Sequence, residues 1–558
     1  MPERSRLAPL VLVLAAALVA RAAWFAWVSD DAYLTLRTLD NMARGHGPCW
    51  NVGERVQVYT HPLWMFLLAA ATTASREHYV TSMVLGLVLS GLATVVLGLR
   101  VARTTAGAAL ALWALLVSRA FADYATSGLE NPLAHVLLGL FFVAWFSDSP
   151  RRRGAALAFA GLAACNRLDA SLLLLPAVVD LARQGPARAT AKALGLAALP
   201  LVAWEAFALV YYGTPIPNPA HAKLGTGIPA VMLALQGTHY LWNSLRLDPT
   251  TLGVTAVAAT LALARRPPRS LPIVIGIGLH LLYVVWIGGD FMSGRFLTTS
   301  LFAAAALLAR LDWRPRPALA LAAGCGVATA IAFGAAARGT PASGAGAFLA
   351  AIDAHGIADE RRFYAPVSAW RGQRHDLAWP DPGSARAANA ARVRWPEDPI
   401  RERLRAVGLV APTDSLPADV VAAVQQGRAR PVIVGAAVGT FGYYAGPGVH
   451  VLDLYALGDP LRARLPAERS DPLLPQFLRS ATAEAWRPGH FVRRIPAGYI
   501  ATLASGENRI AEPHAAALWE DVGRATRGPL FAPGRFGAIA RLTLRRPASG
   551  HAATENVP

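Results

Sequence analysis

Residues 7–31, LAPLVLVLAAALVARAAWFAWVSDD, decide how the rest of the chain is read. Leu7 to Val28 is long and apolar enough to cross a bilayer. Arg4 and Arg6 precede it as they would in a signal peptide, but no clean small-residue cleavage site follows, so the sequence predicts a retained first helix with its N-terminus in the cytoplasm. Ser29, Asp30 and Asp31 come next, where that helix leaves the hydrocarbon. Carboxylates are costly at such a boundary and mark a functional candidate.

The composition agrees with a membrane protein. Of 558 residues, 54% are hydrophobic and only 16% charged, and mean hydropathy is +0.36. The net charge of +18 comes from arginines in short clusters between apolar runs, which is the pattern of membrane topology and excludes a nucleic-acid-binding stripe. Cys49, Cys165 and Cys325 are far apart and lack CxxC or histidine spacing, so neither a disulfide framework nor a structural metal is expected.

Apolar runs predict about eleven transmembrane helices, near 7–28, 78–100, 104–121, 130–147, 154–166, 169–184, 190–212, 249–265, 271–288, 296–310 and 316–336. The clusters Arg100/Arg103, Arg151–Arg153, Arg183/Arg188/Lys192, Arg265/Arg266/Arg269 and Arg310/Arg314/Arg316 then all fall on the cytoplasmic side. His61 to Ala74 breaks that parity if it spans, and reads as a short helix against the outer membrane surface. The odd count places the C-terminus outside. From residue 337 the chain turns charged and proline-rich with strand-length apolar runs, predicting a C-terminal extracytoplasmic α/β domain over 337–558 beside a membrane domain over 1–336 that includes the outer loop 29–77. Strands are expected at Pro431–Gly435, Val449–Leu454 and Ala538–Leu544, and helices near 398–408 and 416–427.

Polar residues collect in the outer loops. After Asp30 and Asp31, Ala32, Leu36, Leu39 and Ala43 recur at helical spacing, with Arg37, Asp40 and Arg44 on other faces, predicting an amphipathic surface helix that ends at Gly45. The two aspartates also fit as helix caps. Ser127–Asn131 with Glu130, then Asn166, Arg167 and Asp169, then Asn218, His221 and Lys223, then Asp290 and Arg295 converge on the same membrane face. Arg167 with Asp169, and Asp290 with Arg295, also read as structural ion pairs. Together they form a pocket of carboxylates and cations, suited to holding an anionic leaving group beside a general base. Asp30 and Asp31 are the catalytic candidates. Arg37, Glu130, His221, Lys223, Asp290 and Arg295 are the candidates for binding donor or substrate. A lipid-linked sugar phosphate fits this layout, and no cofactor is required if side-chain cations neutralise the phosphate.

The stretches DDAYLTLRTLDNMARGHGPCWNVGERVQVYTHPLW (30–64), TSGLENPL (126–133), NRLDA (166–170), YYGTPIPNPAHAK (211–223), GGDFMSGRF (288–296), GTFGYYAGPGVHVLDLYALGDP (439–460) and WRPGHFVRRIPAGY (486–499) resemble membrane glycosyltransferases of the GT-C class. The similarity is to those that add terminal β-1,2-arabinofuranose to mycobacterial arabinogalactan. It implies a polyprenyl-phosphate sugar donor, a cell-envelope glycan acceptor, transfer outside the cell membrane, and Asp30 as general base with Asp31 beside it. Gln57, Val58 and His61, and NRLDA in place of a more usual RPDG, depart from the family pattern and leave sugar and acceptor open. A transporter or flippase of envelope lipids would also carry charges among its helices, but the sequence has no matching halves. In the outer domain GTFGYYAGPG lacks nucleotide-site spacing and reads as turns. Phe441, Tyr443, Tyr444, Trp486 and Tyr499 fit either its core or stacking on sugar rings.

Overall fold

A computed structural model describes residues 2–224, 226, 228–313, 351–370, 395, 405, 415–435, 438–467 and 489–545. The first part is helical throughout. Its elements are α1 (Pro2–Trp24), α2 (Asp30–Ala43), α3 (Pro62–Ser75), α4 (Tyr79–Val96, continued by a π turn Leu97–Val101), α5 (Thr105–Val117), α6 (Arg119–Asp123), α7 (Asn131–Trp145), α8 (Arg152–Asn166), α9 (Ala170–Arg183), α10 (Ala187–Tyr211), α11 (Asn218–Leu224), α12 (Ala230–Leu247), α13 (Pro249–Arg265), α14 (Leu271–Trp286) and α15 (Leu297–Arg310).

The bundle is organised around α15 and α7. Every residue of α15 from Leu297 to Ala309 is buried, and its Ala303–Ala306 run lets α5, α7 and α13 approach closely. The outer helices instead leave large apolar side chains uncovered: Val13 is 64% exposed, Leu196 61% and Leu282 67%. Such a surface suits lipid rather than water. Among the described residues three helices are long and apolar enough to cross a membrane, Leu7–Trp24, Tyr79–Val101 and Ala187–Tyr211, with α12 and α13 forming a further pair bent by 104°. The other apolar helices are shorter, including α5, α7, α14 and α15. The expected span at 316–336 lies outside the described residues.

The C-terminal segments form α16 (Glu360–Ser368), α17 (Ala418–Gln425), β1 (Val432–Gly435), α18 (Val438–Ala445), β2 (His450–Asp453), a 3-10 turn (Arg462–Arg464), α19 (Tyr499–Ser505), α20 (Pro513–Thr526) and α21 (Arg535–Leu544). β1 and β2 are parallel, with Val432 opposite His450 and Gly435 opposite Asp453, and α18 lies in the connection between them. Parallel strands need such a crossover, and a pair buried on both faces reads as a continuous apolar run, as VIVG does.

Two expectations are corrected. Ala538–Leu544 is not a strand: it belongs to α21, where Ala538, Ile539 and Leu542 recur at helical spacing and are buried. α2 is not a surface helix. Tyr33, Leu34, Arg37, Thr38 and Asn41 are buried with its apolar stripe, because α18 packs on the face that amphipathicity assigned to water. The helix expected near 398–408 falls, except for residue 405, outside the described residues, as does Trp486.

Candidate active site

Asp30 and Asp31 open α2, yet neither caps it. Ser29 is the N-cap: its Oγ accepts from Ala32 N at 3.2 Å and donates to Ser127 O at 3.1 Å. Both carboxylates are therefore directed to other partners. Asp30 turns to the C-terminal segment, where its Oδ2 accepts from Gly439 N at 3.0 Å and its Oδ1 from Thr440 N and Thr440 Oγ1, each at 2.8 Å. These backbone donors belong to the first turn of α18, a natural seat for a carboxylate. A Cβ on Gly439 would lie 1.8 Å from the Asp30 carbonyl oxygen, so only glycine permits this approach.

Asp31, about 100° further round the helix, meets other partners. Its side chain keeps 22% of its surface exposed, and its Oδ2 lies 3.8 Å from Arg295 Nη1. Burial pushes its pKa up to about 6; Lys223 and Arg295 pull it down, and the neighbouring Asp30 and Asp290 push it up. Arg295 is held from behind, because its Nη2 donates to Glu130 Oε1 at 3.1 Å and Oε2 at 3.3 Å. Glu130 is 1% exposed and also accepts from Arg167 Nη1 at 2.8 Å, while His61 Nδ1 lies 3.2 Å away. Arg167 in turn clasps Asp169 through Nε at 2.9 Å and Nη2 at 2.6 Å. Asp290 sits on the other side of Arg295, its Oδ2 3.8 Å from Nη1 and its Oδ1 accepting from Phe291 N at 2.9 Å. Asp31, Glu130, Asp290 and Arg295 thus form one ion-paired group, with Lys223 acting on it.

Arg37 and His221 stand apart from that group. Arg37 is 2% exposed and donates through Nε to Trp50 O at 2.8 Å, through Nη2 to Val449 O at 2.9 Å, and through Nη1 to Gly442 O. Its guanidinium is spent on carbonyls, so it staples α2 to the C-terminal segment. Asn51 reinforces this seam by pairing with the Val451 backbone, Oδ1 to N at 2.9 Å and Nδ2 to O at 3.1 Å. His221 Nε2 lies 3.1 Å from Thr214 Oγ1, and burial with nearby Arg464 holds its pKa down to about 3, so it is neutral and uncharged toward any phosphate.

In the sequence His61 reads as a variable position, and Arg167 with Asp169 belongs to the polar pocket without being a donor-binding candidate. The structure joins them to Glu130. The available signal was the spread of unpaired polar residues at outer helix ends, but which of them meet is a long-range matter. Among the described residues no three His, Cys, Asp or Glu side chains are grouped to hold a metal ion. A small cavity shares Ser293 and Gly294 with this region and is lined by Arg119, Asp123, Asp359 and Glu360. Its arginines are taken up by pairs such as Arg119–Asp123 at 3.2 Å and Arg361–Asp123 at 2.7 Å.

The fold is that of a helical protein with several apolar helices, three of them long enough to cross a membrane, carrying a buried carboxylate–cation group. The chain is similar to two curated proteins, both named terminal beta-(1->2)-arabinofuranosyltransferase. It is 30% identical over 324 residues to the one from Corynebacterium glutamicum, covering 50% of this chain and 47% of that protein. It is 31% identical over 326 residues to the one from Mycobacterium tuberculosis, covering 50% and 51%. The chain therefore spans about half the length of the curated relatives it matches. No family model and no solved structure matches it.

Proposed function

We propose that this chain is a membrane glycosyltransferase that moves a sugar, arabinofuranose by its relatives' names, from a polyprenyl-phosphate donor to a cell-envelope glycan on the extracytoplasmic face, with Asp31 as general base. The observation that carries the reading is the contrast within one turn of α2. Both are half-buried, but Asp30 is held by three hydrogen bonds from α18, whereas the Asp31 carboxylate lies 3.8 Å from Arg295 and is acted on by Lys223. With a pKa of about 6, Asp31 is mostly ionised at neutral pH yet a stronger base than an ordinary aspartate.

In this scheme an acceptor hydroxyl gives its proton to Asp31 as its oxygen attacks the anomeric carbon. The carbon–oxygen bond to phosphate breaks, and the electron pair leaves with the polyprenyl phosphate. Arg295 and Lys223 meet that negative charge. Glu130 keeps Arg295 aimed, and Asp290 flanks it. The lipid tail remains in the bilayer beside the apolar outer helices. The reading includes the eleven-helix topology with the N-terminus inside, and an outer domain from residue 337 that packs on the first loop.

A panel of polyprenyl-phosphate sugars with short glycan acceptors, offered to purified protein in lipid, tests the proposal. A labelled elongated glycan is expected with a pentofuranosyl donor. Absence of product with every donor, together with movement of a lipid-linked sugar across the bilayer, points to a flippase and sinks the transferase reading.

A further inference from the structure

Lys223 reaches the site on α11, a helix of only seven residues. A helix that short has no fixed position of its own, so its placement comes from what grips it. Asn218 at its start donates from its backbone N to Gln57 O at 3.0 Å. The Asn218 Nδ2 donates to Ala456 O and Leu457 O at 2.9 Å and to Asp459 O at 3.2 Å. Near its end, the Ala222 carbonyl is one of those a helix terminus leaves without an internal donor. It accepts from Arg493 Nη2 at 2.6 Å.

Arg493 is fully buried, and its guanidinium also donates to Leu465 O at 3.0 Å and Phe491 O at 3.1 Å. Among the described residues these hydrogen-bond partners are carbonyls, not carboxylates. A buried cation so placed is costly, and simple packing would be better served by an apolar side chain. The same segment also runs close to Lys223. Gly489 has φ +77°, and a Cβ there would lie 2.9 Å from Phe291 Cδ1 and 3.4 Å from Lys223 Nζ. The ammonium itself stands 5.7 Å from the Phe291 ring centre. Residues 489–493 therefore bound the Lys223 side chain and hold the backbone just before it.

We propose that Arg493 is a positioning residue for Lys223, so that the C-terminal segment sets where the ammonium meets the phosphate of the lipid-linked donor. The proposal rests on reading Lys223 as a phosphate partner in sugar transfer.

The test uses the full chain in lipid nanodiscs and polyprenyl monophosphate, the leaving group, as the binding probe, so that it needs no turnover. Lys223→Ala should weaken binding about tenfold, and Arg493→Lys and Gly489→Ala roughly three- to tenfold. In the Lys223→Ala background neither second change should weaken it further. Additive losses in the double variants, or wild-type binding by both Arg493→Lys and Gly489→Ala, would overturn the positioning role while leaving Lys223 as phosphate partner. Wild-type binding by Lys223→Ala would overturn the reading of Lys223 and the proposal with it. Should Arg493→Lys fail to fold, Gly489→Ala with its double variant decides.

Discussion

The two carboxylates at the start of α2 each lie near a guanidinium-bearing segment, and they differ in how far they are satisfied. On the face toward α18, Asp30 and Arg37 spend their hydrogen-bonding capacity on Trp50 and on residues 439–449, mostly on backbone groups. On the other face, Asp31 is approached by Arg295 only at 3.8 Å and retains an exposed edge. A fully partnered charge is a fastener. A partly partnered one, kept near cations and reachable from outside, is a reagent. The second arginine–carboxylate network, around Asp123 and Arg119, belongs with the fasteners because its charges are paired closely.

Substitutions can break this contrast, and the largest effect is expected from Asp31→Asn. Transfer should fall by roughly two to four orders of magnitude while polyprenyl monophosphate still binds. Asp30→Asn, measured in the same transfer assay, should keep most turnover and instead loosen the seam by about 1–2 kcal/mol, read as a lowered unfolding midpoint in detergent. The reverse ranking would return the base to Asp30. Next in size is Glu130→Gln, which leaves Arg295 and Arg167 with a weaker partner in a buried place. A stability loss of about 3 kcal/mol is expected, with transfer reduced through a misdirected Arg295.

The pH dependence sharpens the same comparison more gently. If Asp31 is the base, kcat/KM should rise with pH through about 6 and level off above neutrality. Stability runs the other way. A carboxylate whose folded pKa is raised binds its proton more tightly in the folded state, so its contribution is full below the ordinary value near 4 and is lost as pH climbs through about 6. Asp453, buried at the end of β2 and also pushed up to about 6, contributes in the same sense. The assignment therefore comes from the difference between wild type and Asp31→Asn. The variant should be the more stable at pH 7, by on the order of 1 kcal/mol, and the two should converge near pH 4.

Much of the helical part was legible because hydrophobic runs and 3.6-residue periodicity are local signals. Helices cover most of the expected runs between residues 7 and 310, and the strand pair at 432–435 and 450–453 was visible as apolar β-branched stretches. The error at Ala538–Leu544 arose because a short apolar run does not fix its own period until neighbours choose the face to bury. α2 failed differently: its polar face was read as a water face, and α18, some 400 residues on in the chain, covers it with matching hydrogen-bond partners.

For the site, sequence by itself determined which residue types stand at the ends of the apolar runs: paired aspartates after the first apolar run, Glu130 before α7, Lys223 on a proline-flanked segment, and Asp290 and Arg295 around a glycine turn. Each is set by local composition, since charges are tolerated only where the apolar stretches stop. Tertiary structure alone decided their roles. It gave Asp30 to Gly439 and Thr440, drew His61 and Arg167 to Glu130, buried Arg37 among carbonyls and left Asp31 half-buried beside Arg295. Adjacent residues at a helix start point about 100° apart around the axis, so their fates depend on what packs against each side, and those partners come from distant parts of the chain.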